Sequence, residues 1–538
     1  MSDKQPIFIL PESTERLLGK DAQRNNILAA KLVSEAVKTT LGPKGMDKML
    51  VDSVGDITIT NDGVTILDKM EIEHPAAKMM VEISKTQEAE VGDGTTTAVM
   101  LGGRLLENAE KLLDMKIHPT VIAKGYRIAA EKSKEFLEEL SIDFNDDEDI
   151  LKKIVKTAMT GKGAEVVKEK FAEIIIQAIN QIQDREKVDL SNIKIVKNKS
   201  NGIENTRLIK GVVIDKERIS MDMPDRVKNA RIVLFSEALE LKNPEEAKIS
   251  ITTPNQLQDF IDREEKVLKN MVEKVKSVRA NVIFCQKGID DIVQYYLSKD
   301  GIYACRRVAK SDMESLARAT GGKIIGNLNE LSEEDLGSAE VVEEVKHGEE
   351  LMTYVQGCKD PKALTILIHG SSGHVMDEIE RALRDGLGDV AAVIKDRKIV
   401  PGAGAVEIEV ARRLRMFSNT LSGREQLAVQ EFANALEFIP LTLAENAGLD
   451  PIDILTELKS RHDNGEINSG INLFTNRIED SLKEGIIEPL KIKTQAILSA
   501  TEVAMMILRI DDVFASKGGG GSGSRGPVGS RGMYDGME

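Results

Sequence analysis

The sequence predicts a multidomain α/β protein that is mainly helical at both ends and carries an α/β unit in its middle. The chain has 538 residues, and one hydrophobic core does not grow to that size, so about three or four domains are expected. Apolar residues recur at helical spacing up to about residue 140 and again after residue 401. Between residues 193 and 369 short apolar runs alternate with helix-like segments, which predicts an inserted α/β unit.

The composition excludes several classes of partner. The net charge is −16, aromatic residues make up 3% of the chain and Trp is absent, so a nucleic-acid partner is not expected. No run of about 18 apolar residues occurs, and the amino terminus lacks the apolar region of a leader peptide. We therefore expect a cytoplasmic protein with no membrane partner.

The first predicted element is a helix over residues 13–40. Its apolar residues follow helical spacing after a Ser/Thr start, and the sequence LGPKG ends it. Residues 49–63, MLVDSVGDITITNDG, alternate on both sides of a Gly-Asp turn and predict a β-hairpin. A second helical stretch begins at Pro75. The acidic, weakly patterned residues 141–149 mark the first predicted domain boundary.

The central unit contains a long amphipathic helix, predicted over residues 255–280. Such an apolar stripe usually packs on a core, and a partner-binding face is the alternative. After Pro401 the helical pattern returns, and the chain closes with a strand-like run, LRIDDVF, at residues 508–514. The tail, residues 517–538, is rich in Gly and Ser and is predicted to be disordered.

The most informative segment is VGDGTTTAVM, residues 91–100. Gly92 and Gly94 permit a turn in which successive N–H groups face one point, and the threonines at 95–97 add hydroxyl donors at the start of a helix. This pattern favours nucleotide phosphates. A carboxylate would repel them, so Asp93 is interpreted as the ligand of Mg²⁺, which prefers carboxylate, phosphate and water oxygens. The alternative is a Gly-Asp-Gly turn before a threonine-capped helix.

Three further Gly-containing segments accompany this loop. They are TLGPKG at residues 40–45, ITNDG at residues 59–63 and GAG at residues 402–404. Taken singly, a Gly-Pro step usually ends a helix, and Asn-Asp-Gly is usually a turn. Their combination with the loop at residues 91–100, in this order along the chain, is much more specific than any one of them.

Longer stretches carry a family resemblance. They are the segment at residues 21–50, HPAAKMM at 74–80, CQKGIDD at 285–291, the segment at 422–450 and EPLKIKTQAI at 488–497. With the glycine-containing loops they resemble the group II chaperonins, in particular archaeal thermosome subunits, over nearly the whole chain. The resemblance implies an ATPase that acts as a molecular chaperone and encloses non-native polypeptides in a ring cavity.

The resemblance also implies a chaperonin architecture. A mostly helical equatorial ATP-binding domain would comprise residues 1–145 and 402–516. A hinge-like intermediate domain would comprise residues 146–215 and 369–401, and an α/β apical substrate-binding domain would span residues 216–368.

The apical domain of this family carries a helical protrusion, which matches residues 241–269 approximately and would serve as a built-in lid. No separate lid co-chaperonin is then expected. The expected partners are unfolded or partly folded polypeptides and, within a double ring, other copies of the chain or sister subunits.

Individual roles follow from the same resemblance. Asp62 would help to place the attacking water, and Asp385 would act as the general base. Asp93 would hold Mg²⁺, and Lys162 would direct a point charge at a terminal phosphate. The remaining positions implied to bind ATP are Thr40, Leu41, Gly42, Pro43, Gly94, Thr95, Thr96, Thr97, the backbone of Gly402, Ala403 and Gly404, and, around adenine and ribose, Asn472, Leu473, Phe474, Glu488 and Lys493.

Two positions depart from the family pattern. Ala403 replaces a glycine, and its methyl group would either be tolerated or crowd the nucleotide. Gly386 replaces the alanine that commonly follows the catalytic aspartate, which would loosen its helix by about 1 kcal/mol. Two other classes stay open at this point: a metabolic kinase, although G-x-x-x-x-G-K-[ST] is absent, and a structural ring or filament protein with a vestigial ATPase.

Overall fold

The computed structural model describes residues 14–163, 167–183, 187–199, 202–241, 253–347 and 350–516. The tail at residues 517–538 and the first part of the expected protrusion, residues 242–252, lie outside the described residues. Within the described ranges, no helix has the length and apolar character needed to cross a membrane.

The amino-terminal segment is mainly helical, as predicted. Its elements are β1 (Thr14–Leu18), α1 (Gly19–Lys38), β2 (Lys48–Val51), β3 (Ile57–Thr60), α2 (Gly63–Lys69), α3 (Pro75–Val91), α4 (Thr95–Asp114) and α5 (Pro119–Leu140). β2 and β3 pair antiparallel, so the predicted hairpin is confirmed.

The middle of the chain alternates strands and helices. Its elements are β4 (Ile142–Asp143), α6 (Glu148–Met159), α7 (Lys168–Ile182), β5 (Ile193–Lys199), β6 (Arg207–Ile209), β7 (Gly211–Ile214), β8 (Arg226–Phe235), α8 (Pro254–Ser277), β9 (Val282–Cys285), α9 (Asp291–Lys299), β10 (Tyr303–Cys305), α10 (Lys310–Thr320), β11 (Ile324–Ile325), β12 (Gly337–His347), β13 (Glu350–Gln356), β14 (Leu364–Gly370) and α11 (Gly373–Asp396).

The carboxy-terminal segment returns to helices. Its elements are β15 (Lys398–Pro401), α12 (Ala405–Ser418), α13 (Glu425–Leu436), α14 (Phe438–Asn446), α15 (Pro451–Asp463), β16 (Ser469–Asn472), β17 (Arg477–Asp480), α16 (Ser481–Glu484), β18 (Ile487–Pro489), α17 (Leu490–Leu508) and β19 (Asp512–Ser516).

The two ends of the chain share one hydrophobic core. α1, α3, α4 and α5 from the amino-terminal side pack with α12, α13 and α17 from the other side, and Ile27, Leu105, Phe432 and Ala500 are buried together. β1 pairs antiparallel with β19, and β15 pairs with both β4 and β18. Segments about 400 residues apart along the chain therefore form one unit.

The predicted start of the first helix was wrong. Residues 14–18 form β1 instead, and α1 begins at Gly19 with Leu18 as an N-cap that makes no side-chain hydrogen bond. The strand forms because it pairs with β19 along its full length, and the Gly19 N–H donates to the Asp511 carbonyl at 2.6 Å. A partner at the other end of the chain thus overrides the local Ser/Thr start signal.

A second core surrounds α11. α6 and α7 pack on this helix, and β14 pairs parallel with β5 and antiparallel with β6 beneath them. Phe171, Ile175, Leu383, Val390 and Ile366 are among the buried residues of this cluster. This packing fixes α11 on one side, while the opposite side of the helix faces the core shared by the two ends.

The central unit is built on a mixed seven-stranded sheet. The strand order is β10-β9-β8-β12-β13-β7, and β11 pairs with β8. α10 covers one face through Met313 and Leu316, and α8 and α9 cover the other through Leu268, Val272 and Leu297. The inserted α/β unit predicted from the short apolar runs is confirmed.

The long amphipathic helix is present as α8, and its two halves differ. Leu268, Val272 and Val275 in the second half are buried against the sheet. Leu257 and Ile261 in the first half are 48% and 46% exposed. Only the second half therefore packs on the core.

Candidate active site

The loop between α3 and α4 has the backbone geometry expected of an anion-binding turn. Gly92 and Gly94 have φ of 84° and 78°, in the left-handed region that favours glycine. A Cβ at Gly94 would lie 2.7 Å from Ile492 Cγ2, so a side chain at that position would clash. Gln87 Nε2 fixes the loop by donating to the carbonyl of Asp93 at 2.8 Å. The first turn of α4 then presents the N–H groups of residues 95–97, which favours an anion there.

Asp62 lies beside this loop at the start of α2. Its Oδ2 accepts hydrogen bonds from the Thr65 N–H at 2.9 Å and from Thr65 Oγ1 at 2.6 Å. Thr95 Oγ1 approaches the other oxygen, Oδ1, at 3.5 Å. The two segments are in close contact, because a Cβ at Gly63 would lie 2.7 Å from Thr96 Oγ1. The carboxylate of Asp62 is therefore held toward the start of α4.

The segment at residues 40–43 forms another wall. Gly42 has φ of 82°, and Asn446 Nδ2 donates to the carbonyl of Leu41 at 2.9 Å. Gly161 packs on this segment so closely that a Cβ there would lie 3.0 Å from Pro43 Cα. Asn61 Nδ2 also donates to the Gly161 carbonyl at 2.7 Å. The loop that carries Lys162 is thereby joined to two of the predicted nucleotide segments.

Lys162 connects the two parts of the site. Its Nζ lies 3.1 Å from Asp93 Oδ1 and 2.5 Å from Asp385 Oδ2. Asp93 belongs to the loop before α4, whereas Asp385 belongs to α11 and the second core. One ammonium group therefore holds the predicted metal ligand and the predicted general base together. The side chains of Lys162 and Asp385 are only 21% and 13% exposed.

Neighbouring charges and burial shift the pKa values of the acidic and basic groups in this cluster. Burial is the main reason why the pKa of Asp385 lies well above its usual range, although Lys162 acts in the opposite direction. Burial alone would lower the pKa of Lys162, but Asp385 and Asp93 outweigh it and raise that pKa. Burial, with the charges of Asp62 and Asp93, also raises the pKa of Glu88 in α3 to about 7. Ionisable groups with shifted pKa values in a cleft are typical of functional sites.

Two glycines of α11 permit its close packing. A Cβ at Gly388 would lie 2.7 Å from the Val91 carbonyl oxygen, so the helix approaches the phosphate loop within contact distance. A Cβ at Gly386 would lie 2.8 Å from Ile175 Cδ1 in α7. The helix nevertheless continues unbroken from residue 373 to residue 396.

The segment at residues 402–404 forms a further side of the candidate site and is held by backbone hydrogen bonds. The Gly402 N–H donates to the Ile486 carbonyl at 2.9 Å, and the Ala403 carbonyl accepts from the Ile471 N–H at 3.0 Å. Ala403 has φ of 58°, and Gly404, the N-cap of α12, has φ of 79°. This segment thus leads into α12 and also binds β16.

The predicted adenine and ribose residues lie next to one another. Asn472 Oδ1 accepts from the Phe474 N–H at 3.0 Å, and Asn472 Nδ2 donates to Glu479 Oε2 at 2.7 Å. Leu473 is buried in a small apolar cluster. It also borders Gly42, because a Cβ added at Gly42 would lie 3.9 Å from Leu473 Cδ1. The Phe474 ring is 57% exposed. This wall is therefore continuous with the phosphate side through Leu473.

Glu488 and Lys493 form a buried ion network. Lys493 Nζ lies 2.6 Å from Glu488 Oε2 and 2.8 Å from Glu407 Oε1. A Cβ at Gly402 would lie 2.6 Å from Glu488 Oε1, so this network adjoins the segment at residues 402–404. Lys493 is shared by two carboxylates, which makes a supporting role the simplest interpretation of its position.

The family model described as the TCP-1/cpn60 chaperonin family matches residues 33–518. The chain belongs to the TCP-1/cpn60 chaperonin family. It is 57% identical to the thermosome subunit of Methanopyrus kandleri, with 96% of both chains covered. It is 56% identical to the thermosome subunits beta and alpha of Archaeoglobus fulgidus, with 96% and 95% of this chain covered and 97% and 95% of theirs.

This chaperonin is of the archaeal group II type, as the resemblance implied. It is an ATP-dependent chaperone that closes its cavity with built-in protrusions, and its ATPase activity is coupled to protein folding. Family membership therefore decides against a metabolic kinase. The roles of individual residues in the chaperonin site stay predictions.

Sequence reasoning about this chaperonin missed Asp389. It lies on α11 one turn after Asp385 and is 2% exposed, and its Oδ1 has no hydrogen-bond partner among the described residues. Burial and the nearby charge of Asp93 raise the pKa of Asp389 well above its usual range. The i, i+4 spacing was the available signal, because it places both carboxyl groups on one face of a helix.

Asp389→Asn is expected to stabilise the chaperonin at neutral and alkaline pH. An acid whose pKa is raised by folding holds its proton longer when folded, so its contribution to stability falls as pH rises above about 4, the ordinary value for Asp. Removing the charge abolishes this loss, and the thermal midpoint of the nucleotide-free protein should rise by about 2–4 °C at pH 8. No rise is expected at pH 4. Asp396→Asn, an exposed position on the same helix, is the control, and an equal gain at both pH values would contradict the explanation.

Ala403→Gly is expected to stabilise the chaperonin modestly. A left-handed backbone costs an L-residue about 1–2 kcal/mol, whereas the added freedom of glycine in the unfolded chain costs about 0.5–1 kcal/mol. The net gain of up to about 1.5 kcal/mol should appear as a higher thermal midpoint in calorimetry. Ala405→Gly, two residues later within α12, is the matched control and should lower the midpoint. A lower midpoint for Ala403→Gly would show that the methyl group contributes packing that outweighs the strain.

Proposed function

We propose that this chain hydrolyses Mg²⁺·ATP at the junction between the core shared by its two ends and the core around α11. The observation that carries this proposal is the position of Lys162 Nζ, within 3.1 Å of Asp93 and 2.5 Å of Asp385. It supports a site in which the phosphate loop binds the nucleotide and a separate unit supplies the base for hydrolysis.

The donor set fits Mg²⁺ that is bound jointly with a nucleotide. Among the described residues, no group of three or more His, Cys, Asp or Glu side chains could hold a metal ion alone. Mg²⁺ is commonly bound by one or two carboxylates together with substrate phosphates and water. Asp93 would hold the ion, which when bound would neutralise charge on the phosphates. Lys162 would then exchange its contact with Asp93 for a terminal phosphate.

The protein groups have distinct roles in the proposed reaction. The N–H groups and hydroxyls of Thr95, Thr96 and Thr97 bind phosphate oxygens at the start of α4. Asp62 orients the attacking water, and Asp385 accepts its proton as the water attacks the γ-phosphate. Leu473 and Phe474 contact the adenine, and Asn472 and Glu488 lie around the ribose. Hydrolysis therefore requires α11 to be seated on the phosphate loop.

We infer three domains from the packing. The core shared by both ends supports an equatorial domain at residues 1–145 and 402–516, and the core around α11 supports an intermediate domain. Strand pairing favours slightly different limits for the apical domain, because β7 pairs with β13 in its sheet, whereas β14 pairs with β5. We therefore propose residues 211–363 for the apical domain.

We further propose that the chain assembles into a cytoplasmic double ring with copies of itself or with sister subunits, and without a separate lid co-chaperonin. The alpha and beta names of the Archaeoglobus fulgidus relatives support assembly with sister subunits. The exposed apolar residues in the first half of α8 support a protrusion that makes contacts outside its own domain. Unfolded or partly folded polypeptides would bind inside the cavity.

Size-exclusion chromatography, electron microscopy and a refolding assay test the proposal together. The purified chain should form rings and should refold a chemically denatured client protein only when Mg²⁺ and ATP are present. A large particle without ATP-dependent refolding would indicate a scaffold with a vestigial ATPase. A monomer that hydrolyses ATP without refolding the client would contradict both the ring and the chaperone role.

A further inference from the structure

A buried histidine lies behind the wall that holds the predicted adenine and ribose residues. His462, in the last turn of α15, and Glu409, on α12, are both 0% exposed. His462 Nδ1 lies 3.0 Å from Glu409 Oε2, and His462 Nε2 lies 2.9 Å from the backbone carbonyl oxygen of Ser469. The imidazole ring therefore connects α12 with the first residue of β16.

Both partners of the ring accept hydrogen bonds, and neither can donate one. The Ser469 group is a backbone carbonyl. Burial alone would raise the pKa of Glu409, but hydrogen bonds from His462, Arg412 and Arg413 outweigh it and lower that pKa to about 2, so Glu409 is a carboxylate. Each ring nitrogen therefore lies at hydrogen-bond distance from an oxygen that accepts hydrogen bonds, so the ring joins the two segments through both of its nitrogens.

The hydrogen bonds of His462 join two elements that border the predicted adenine and ribose residues. On one side, α12 follows directly from the segment at residues 402–404. On the other side, β16 ends at Asn472, and its Ile471 N–H donates to the Ala403 carbonyl at 3.0 Å. His462 is thus one of the contacts that hold β16 against α12, together with the bond from Ile471 to Ala403.

We propose that His462 is a positioning residue for the base and ribose side of the ATP site, because it holds β16 against α12 and thereby fixes Asn472 and Leu473. This proposal rests on the proposed function, since it takes those two residues as part of the nucleotide pocket. Among the described residues, the His462 ring hydrogen-bonds to Glu409 and to the Ser469 carbonyl, and we assign it no part in the hydrolytic step.

Substitution of His462 is expected to weaken the contacts to adenine and ribose but not the contacts to the phosphates. Loosening β16 disturbs the wall around adenine and ribose, whereas the phosphate loop is fixed separately by Gln87 and by the packing of α11. Binding of ATP should therefore weaken, and binding of inorganic tripolyphosphate, which lacks the base and the ribose, should not. If His462 only stabilised the fold, its substitution would lower the thermal midpoint without weakening ATP binding more than tripolyphosphate binding.

The test compares His462→Gln with wild type as assembled rings. A glutamine carries both of its N–H donors on one nitrogen, which cannot reach the two acceptors that the two ring nitrogens contact. The KM for ATP should rise about 10-fold, which equals about 1.4 kcal/mol and is close to one hydrogen bond to a charged group. The kcat should change less than about twofold, and the inhibition constant of Mg²⁺·tripolyphosphate should stay at the wild-type value. His374→Gln, at an exposed position of α11, is the control and should behave as wild type.

Glu409→Gln provides a second variant if His462→Gln fails to assemble. The glutamine keeps an oxygen that can accept from Nδ1 but removes the carboxylate charge, which weakens its hydrogen bonds. A smaller rise in the KM for ATP is therefore expected, again without an effect on tripolyphosphate. Unchanged KM values in assembled rings of either variant would overturn the proposal, and so would equal losses for ATP and tripolyphosphate. If wild type itself does not bind ATP, the proposed function fails instead.

Discussion

Asp385→Ala is expected to bind ATP and to turn it over about 10²- to 10⁴-fold more slowly than wild type, which is the usual contribution of a general base. The alanine removes the carboxylate that we propose to accept the proton of the attacking water. Nucleotide binding should survive, because the phosphate loop is built from a different part of the chain and is fixed by its own contacts, such as the bond from Gln87 Nε2 to the Asp93 carbonyl.

Single-turnover measurements on assembled rings separate these two effects. ATP is bound first without hydrolysis, and phosphate release is then followed after mixing with Mg²⁺. Asp396→Ala, which changes an exposed acid on the same helix, serves as the control and should hydrolyse ATP at the wild-type rate. Normal turnover in Asp385→Ala would exclude this residue as the base.

Asp93→Ala should act at an earlier step and weaken the binding of Mg²⁺·ATP itself. The carboxylate is the only acidic side chain within the loop between α3 and α4, so its removal takes away the proposed protein ligand of the metal ion. It also leaves the ammonium group of Lys162 with Asp385 as its remaining ion-pair partner. We expect at least about a 10-fold loss of affinity, which is the effect of about 1.4 kcal/mol.

Isothermal titration with ATP, with and without Mg²⁺, tests this role. In wild type the presence of Mg²⁺ should strengthen binding, and in Asp93→Ala this difference should largely disappear. Asp114→Ala, at the exposed end of α4, provides a matched control whose response to Mg²⁺ should equal that of wild type. Unchanged affinity of Asp93→Ala for Mg²⁺·ATP would exclude the residue as the metal ligand.

The local features of the site could be predicted from the sequence, because they depend on residues close together in the chain. The turn at Gly92 and Gly94, the helix that follows it and the hairpin of β2 and β3 all have short-range signals. The central α/β unit could be predicted for the same reason. Its strands and helices have distinct apolar patterns, and α8 was located to within about three residues.

Features that depend on contacts between distant segments could not be predicted in this way. β1 exists only because β19 pairs with it, and the apparent helix start at residues 13 and 14 gave no sign of that pairing. The spacing of Asp389 from Asp385 was visible in the sequence, but its burial, which marks it as unusual, became evident only from the fold. Lys493 matched a nucleotide-binding position in the family, whereas its two ion pairs with Glu407 and Glu488 become evident only from the fold.

The length of α11 has a mechanical consequence. The helix has 24 residues and is about 36 Å long, and it touches the phosphate loop at Gly388, about two-thirds of the way along it. Asp385 lies about 4.5 Å along the axis from this fulcrum, whereas Gly373, which follows β14, lies about 22 Å from it. If α11 tilts about Gly388, its far end moves about five times as far as the carboxylate, so a shift of about 1 Å at the proposed base corresponds to a displacement of about 5 Å at the end of the helix that follows β14.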